Sequence, residues 1–254
     1  MVLIAVTISR QETEWSLPGI PWFNFVKDEK VPMLEQGGIE GPEAKSYQKN
    51  WTRGHPGPRR YITYLAKKRN RAVELALEKY PETTDVMMCD TYYTNQIAPL
   101  KVLTRDYQRL QEMKVTSALG GATWGLIRTR PSDFFRPRRK EWYDKWGVPD
   151  LTFTPYGWKP EKDKVLGGLL NPPLSGLFHT SSLSGISIWP RSAWDKGARY
   201  GVFDDLHGCE HNYFFEHSGI PRYTDFNAEF YRRVSYSFLK ALRCSVNLGR
   251  FIQK

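Results

Sequence analysis

The stretch that most constrains the fold runs from residue 60 to residue 90. It sets a long amphipathic segment directly before a short apolar one. Ile62, Leu65, Ala66, Val73, Ala76, Leu77 and Tyr80 recur at helical period and fall on one arc. After "PETTD" comes Val86-Met87-Met88-Cys89, apolar at every position and closed by Asp90. A strand that is apolar on both faces has to be covered on both faces, as in a parallel sheet flanked by helices. The unit predicts an α/β fold.

The flanking sequence extends the pattern. Val2–Ile8 is β-branched and apolar and predicts a first strand. A helix is expected after Ile97-Ala98, with Pro99 in its first turn and Leu100, Leu103, Tyr107 and Leu110 on one face. "VTSALGGATWGLIRTR" predicts one or two further strands. Between the first strand and the helix lie residues 11–58, rich in Pro, Gly, Trp and charge. So long a stretch inside a compact domain suggests an insertion with short elements of its own, or a lid over a site. Further on, the pattern predicts a strand over 184–189, a short helix begun by Pro190, and a helix over 206–217 ended by Gly219. A terminal helix is expected over 228–248. Nothing repeats, and the change of pattern near residue 130 reads as a change within one domain. The expected architecture is a single Rossmann-like domain over 1–254. Its central, mostly parallel sheet is flanked by helices and carries a long inserted loop region near the N-terminus.

Composition narrows the setting. A 40% hydrophobic content and 14% aromatics supply a core for a chain of 254 residues. Three cysteines with no Cys-x-x-Cys pair are not a disulfide framework and suggest a reducing compartment. The N-terminal apolar run is short for a signal peptide, and no window approaches the length of a membrane span. A cytoplasmic location is the expectation. The formal net charge of +10 favours anionic partners: nucleic acid, a membrane surface or phosphorylated small molecules.

Three groups of residues carry candidate chemistry. Asp90 ends a strand, where ligands of open α/β sheets bind. A carboxylate there can hold a divalent metal and through it a diphosphate; it can also be a turn residue. Arg69 falls inside the apolar arc of the helix, where a charge needs an anionic partner: a phosphate, Asp90 or another core carboxylate. Its neighbour Asn70 can bond a base or ribose. In "GVFDDLHGCEHNYFFEHSG", Asp204 and Asp205 stand at an expected helix start, as first-turn acids or as a general base. His207 and His211, spaced i, i+4, share a helix face that suits metal ligation, and His217 reads as a cation at the helix end.

The run "RNRAVELALEKYPETTDVMMCDTYYTNQIAPLKVLTRD", followed by "SGISIWPRSAW" and "GVFDDLHGCEHNYFFEHSGI", resembles nucleotide-sugar glycosyltransferases of the GT-A fold. In these, an Arg-Asn-x-Ala helix precedes a strand ending in Asp-x-Asp, and a helix opens near a Pro. A later strand and short helix lead to an acidic pair and a helix ending in Gly. The likeness spans about 60–110 and 180–225. It implies a nucleotide-binding half over 1–125 and an acceptor half with a C-terminal helix over 126–254. By the same resemblance, Thr7, Ser9, Arg10, Arg69, Asn70 and Asp90 would bind the nucleotide. Asp205 would be the catalytic base, with Asp204 beside it. Tyr92, Gly185 and Trp189 would face the acceptor or sugar. The donor would be a UDP- or GDP-sugar, and the acceptor a hydroxyl-bearing glycan or glycoprotein. Mn2+ or Mg2+ would sit at Asp90. Tyr92 stands where the second Asp of the metal motif belongs, so His211 or His179 would have to complete that site, or basic side chains replace it. The alternative is a nucleic-acid-binding protein whose basic clusters track phosphates and whose aromatics stack on bases. No motif of such proteins appears in the chain.

Overall fold

The structure is a computed structural model that describes residues 1–8, 19–24, 57–90, 97–128, 135, 137, 139–142, 177–179, 183, 185–203 and 210–235. In chain order these form β1 (Leu3–Thr7), β2 (Trp22–Asn24), α1 (Gly57–Lys79), β3 (Asp85–Cys89), α2 (Ile97–Glu112) and β4 (Ala118–Arg128). There follow β5 (Arg139–Trp142), β6 (Leu177–His179), β7 (Ile186–Pro190), α3 (Ser192–Asp195), α4 (Glu210–Ser218) and β8 (Arg222–Ser235). The strands make one sheet in the order β2-β1-β3-β7-β4-β8-β6, with β5 on β4. The fold is α/β, as the helix–strand unit predicts.

The sheet is mixed and only partly parallel, where a mostly parallel one was expected. β1 runs parallel to β2 and β3, and β4 parallel to β8. β7 lies antiparallel between β3 and β4, and β5 and β6 are antiparallel additions. The cause is visible at Gly185, whose carbonyl accepts the Asp90 N–H at 2.7 Å. The chain enters β7 at the edge where β3 ends, so β7 has to run back along it. Composition carries no such information about strand direction.

The expected terminal helix is corrected over its described part, because residues 222–235 are a strand. Ala228 and Phe230 are buried while Glu229 between them is half-buried, the period of two that a sheet demands. Pairing with β4 along its length overrides the helix preference of Glu229, Arg232 and Arg233.

Alternation along the central strands builds the layers. Ile4, Val6, Val86, Met88 and Trp189 point to one face, where they meet Ala66, Val73 and Ala76 of α1 and Phe214 and Phe215 of α4. Leu3, Ala5, Met87, Cys89 and Ile188 point to the other, against Leu100, Leu103, Tyr107 and Leu110 of α2. Both faces of β3 are therefore covered, which is why its sequence is apolar without a break. The α2 face is the one its periodicity predicts. At the other end of β3, the Tyr107 hydroxyl donates to Asp85 at 2.7 Å and locks α2 in place. Gly219, at φ +62°, ends α4 in the left-handed conformation that its position past the last turn called for. Among the described residues, no helix is long and apolar enough to cross a membrane.

Candidate functional site

The parallel pairing of β1 with β3 matches Val6 with Met88, so Thr7 lies beside the end of β3. Gly185, before β7, meets Asp90 at the same edge. This is the carboxyl edge of β1 and β3, the side on which open α/β sheets bind ligands. Thr7 and Gly185 are both buried there.

Arg69 of α1 reaches that edge. Its guanidinium contacts Asp90 Oδ1 at 3.4 Å and donates through Nε to Glu210 Oε1 at 3.1 Å. All three side chains are nearly removed from water, at 5%, 11% and 4% exposure. The charge in the apolar arc thus has core carboxylates as partners, one from a strand end and one from the first turn of α4. Burial of each of these ions would be costly alone; their mutual contact makes it tolerable. The Arg69 guanidinium also lies 5.8 Å from the centre of the Tyr200 ring.

Asn70, expected at the nucleotide, bonds the main chain of Tyr200. Its amide donates to the Tyr200 carbonyl at 2.9 Å and accepts from the Tyr200 N–H at 2.8 Å. It clasps the main chain of the segment leading toward α4. The Arg-Asn pair therefore holds Tyr200 twice, by its backbone and by its ring.

His211 follows Glu210 and is buried. Burial and the nearby Arg69 charge push its pKa down to about 3 against the opposing pull of Asp90. Its Nδ1 lies 3.4 Å from Glu210 Oε1. Because the ring is neutral near pH 7, that contact is a polar one and not an ion pair. Burial, and then the Asp90 charge, raise the Cys89 thiol well above its usual range, so Cys89 is no nucleophile here.

Trp189 is not at an acceptor surface. It is fully buried, 4.8 Å from Phe214 edge to face and stacked 5.4 Å from Phe215, with its indole N–H on Ser187. Its position on a doubly covered strand dictates this. His217 is exposed with Nδ1 2.7 Å from the Tyr213 carbonyl, in the last turn of α4 as expected. Ser9, Arg10, Tyr92, Asp204, Asp205 and His207 lie outside the described residues, and nothing is described of the His179 side chain.

The described residues do not fit a divalent metal. Among them no group of three or more His, Cys, Asp or Glu could hold one. The carboxylate offered at the strand end already faces a guanidinium, which repels a second cation. Comparison with models of protein families gives no match, and comparison with curated proteins gives none.

Two residues of this site escape a reading of the sequence: Glu210 and Tyr200. The buried charge of Arg69 signals that carboxylate partners exist. It does not say that one comes from a helix so distant in sequence.

Proposed function

We propose that this chain is a glycosyltransferase of the GT-A kind. It transfers a sugar from a nucleoside-diphosphate donor to a hydroxyl acceptor. The observation that carries this reading is the junction of Arg69, Asp90 and Glu210. It joins the segments in which the resemblance lies, α1 with the end of β3 and the start of α4, at the carboxyl edge of the sheet. The pairing of β3 with β7 supports the same reading, since it sets the donor-type strand against the acceptor-type strand.

In this reading Asp90 and Thr7 face the donor. Asp205, at the approach to α4, accepts the proton of the acceptor hydroxyl. The acceptor oxygen forms a bond to the anomeric carbon while the bond from that carbon to the diphosphate breaks. The diphosphate leaves with the bonding pair. Basic side chains neutralise it, as the +10 charge of the chain allows. No step is assigned to a metal.

A thermal-shift screen of nucleoside diphosphates and diphospho-sugars, with and without Mn2+, tests the reading. One nucleotide family should raise the melting temperature, and Mn2+ should not be required. A chain stabilised by single-stranded nucleic acid and by no nucleotide would be a binding protein instead. Asp205→Asn should lower transfer by about 10^2- to 10^4-fold with donor binding nearly intact. Asp204→Asn should be milder, and the opposite ranking would move the base to Asp204.

A further inference from the structure

We infer that the Asp106–Asp225 carboxyl pair is a proton-operated latch between α2 and a bulge in β8. It is closed while one proton bridges the pair, and it lets the bulge open when that proton leaves. The latch does not depend on the activity proposed above. At Asp225 the pairing of β8 with β4 breaks register. Gly121 pairs with Asp225 and Ala122 with Glu229, so Phe226, Asn227 and Ala228 fall between them. A bulge interrupts the ladder locally, and side chains then have to tie the strand down.

Asp225 is that tie. It is fully buried, at 0% exposure, and its Oδ1 accepts the Asn227 N–H of the bulge at 2.8 Å. Its Oδ2 is buried and has no hydrogen-bond donor. The Asp106 carboxyl of α2 faces it within hydrogen-bonding reach. Asp106 already accepts from Arg105, at 2.8 Å on Oδ1 and 3.0 Å on Oδ2, and from Arg109 at 3.3 Å. Two ionised carboxylates are both acceptors and cannot bond each other. With a proton on Asp225 Oδ2, that O–H donates to Asp106, and every polar atom of the pair is satisfied. Among the described residues, α2 is the element that brings charge to Asp225, through Asp106 and Arg105, with Arg109 behind them. Across the ladder, β4 presents Gly121 and β6 presents Leu177, and neither titrates.

The two carboxyl groups hold the proton unequally. Burial works against the Asp106 charge, but Arg105 and then Arg109 outweigh it and keep its pKa below the ordinary value. At Asp225 burial is the largest influence and raises the pKa. The Asn227 N–H opposes the rise and the Asp106 charge adds to it, bringing the group to about 6. A raised pKa in the folded chain means that the latch is fully closed below the ordinary value of 3.8 and is lost as pH rises through 6. Local opening that returns Asp225 to water should then be about tenfold more frequent at pH 7 than at pH 5.

The test is amide hydrogen exchange of the full chain at pH 5 and pH 7, corrected for the intrinsic pH dependence of exchange. We expect the Asn227 amide and its neighbours in β8 to lose about tenfold in protection between the two, while Val86–Met88 of β3 do not follow. In Asp225→Asn the side-chain amide donates to Asp106 in place of the proton, and the pH dependence at Asn227 should vanish. Equal or rising protection of Asn227 from pH 5 to pH 7 in wild type overturns the latch, as does a dependence that survives in Asp225→Asn. Should that variant not fold, a carbon NMR titration of the wild-type aspartate carboxyls decides. Asp225 should titrate near pH 6, and a midpoint at or below its ordinary value overturns the inference.

Discussion

Arg69 sits among apolar residues of α1 with 4% of its surface exposed. A carboxylate on either side is what permits this. Arg69→Met therefore removes the cation that both buried carboxylates contact, and we expect a loss of about 3–5 kcal/mol in stability. Urea denaturation measures it. A loss below 1 kcal/mol would mean that the carboxylates find other partners. Other buried groups set the acid response. His211 has its pKa depressed to about 3, so its contribution is present above its ordinary value near 6.5 and is lost as pH falls from there toward 3. Asp225 acts in the opposite sense. Burial, and the facing Asp106, raise its pKa to about 6, so its contribution is present below about 3.8 and is lost as pH rises through 6. Its buried Oδ2 has no hydrogen-bond partner unless a proton lies between it and the Asp106 carboxyl. Burial pushes Asp106 up too, but hydrogen bonding and charge from Arg105, with the charge of Arg109, outweigh it and hold Asp106 low, so the shared proton belongs to Asp225. Between pH 4 and 6 the two effects oppose each other. His211→Gln should flatten the loss of stability on acidification, and Asp225→Asn should steepen it. Denaturation midpoints at pH 4.5, 5.5 and 7 decide the signs; a His211→Gln curve parallel to wild type would place His211 in water.

At the scale of elements, β4 and β8 approach each other closely at Gly121. A Cβ on Gly121 would fall 2.2 Å from the Phe230 ring and 2.9 Å from the Ala228 carbonyl. The register of the pair shifts at this point, between Gly121 and Ala122. Gly121→Ala has to displace both a core ring and a strand, and should cost about 1–3 kcal/mol. A melting temperature equal to wild type would show that β8 can move aside. The same strand marks where the sequence is hard to read. α1 and α2 announce themselves, because a helix that packs on one face leaves a period in its own residues. Leu100, Leu103, Tyr107 and Leu110 are legible for that reason. β8 takes its conformation from β4, on which it lies, and its Glu and Arg residues do not record that partner. Trp189 misleads in the same way. An aromatic beside a proposed site suggests a sugar platform, yet the strand that carries it is covered on both faces. Asp90 is legible because an apolar run stopping at a carboxylate is a local signal. Glu210 is not, since its significance arises only when α4 is brought against α1.

Across the whole molecule, the sheet places the ends of β1 and β3 and the start of β7 at one edge, and α1 and α4 bring charged side chains to it. Under the proposed function, the net charge of +10 serves the anionic groups of the ligand and the carboxylates at this edge its hydroxyl groups. A nucleoside diphospho-sugar has both. The claim is tested most directly by calorimetric titration of the panel of nucleoside diphospho-sugars into wild-type protein and into Asp90→Asn. The account predicts that one of them binds wild type in the micromolar to millimolar range usual for substrates, about 1 μM to 1 mM. It also predicts binding at least tenfold weaker to Asp90→Asn, while the variant remains folded. Equal affinity for the two proteins, or no binding to either, would contradict it.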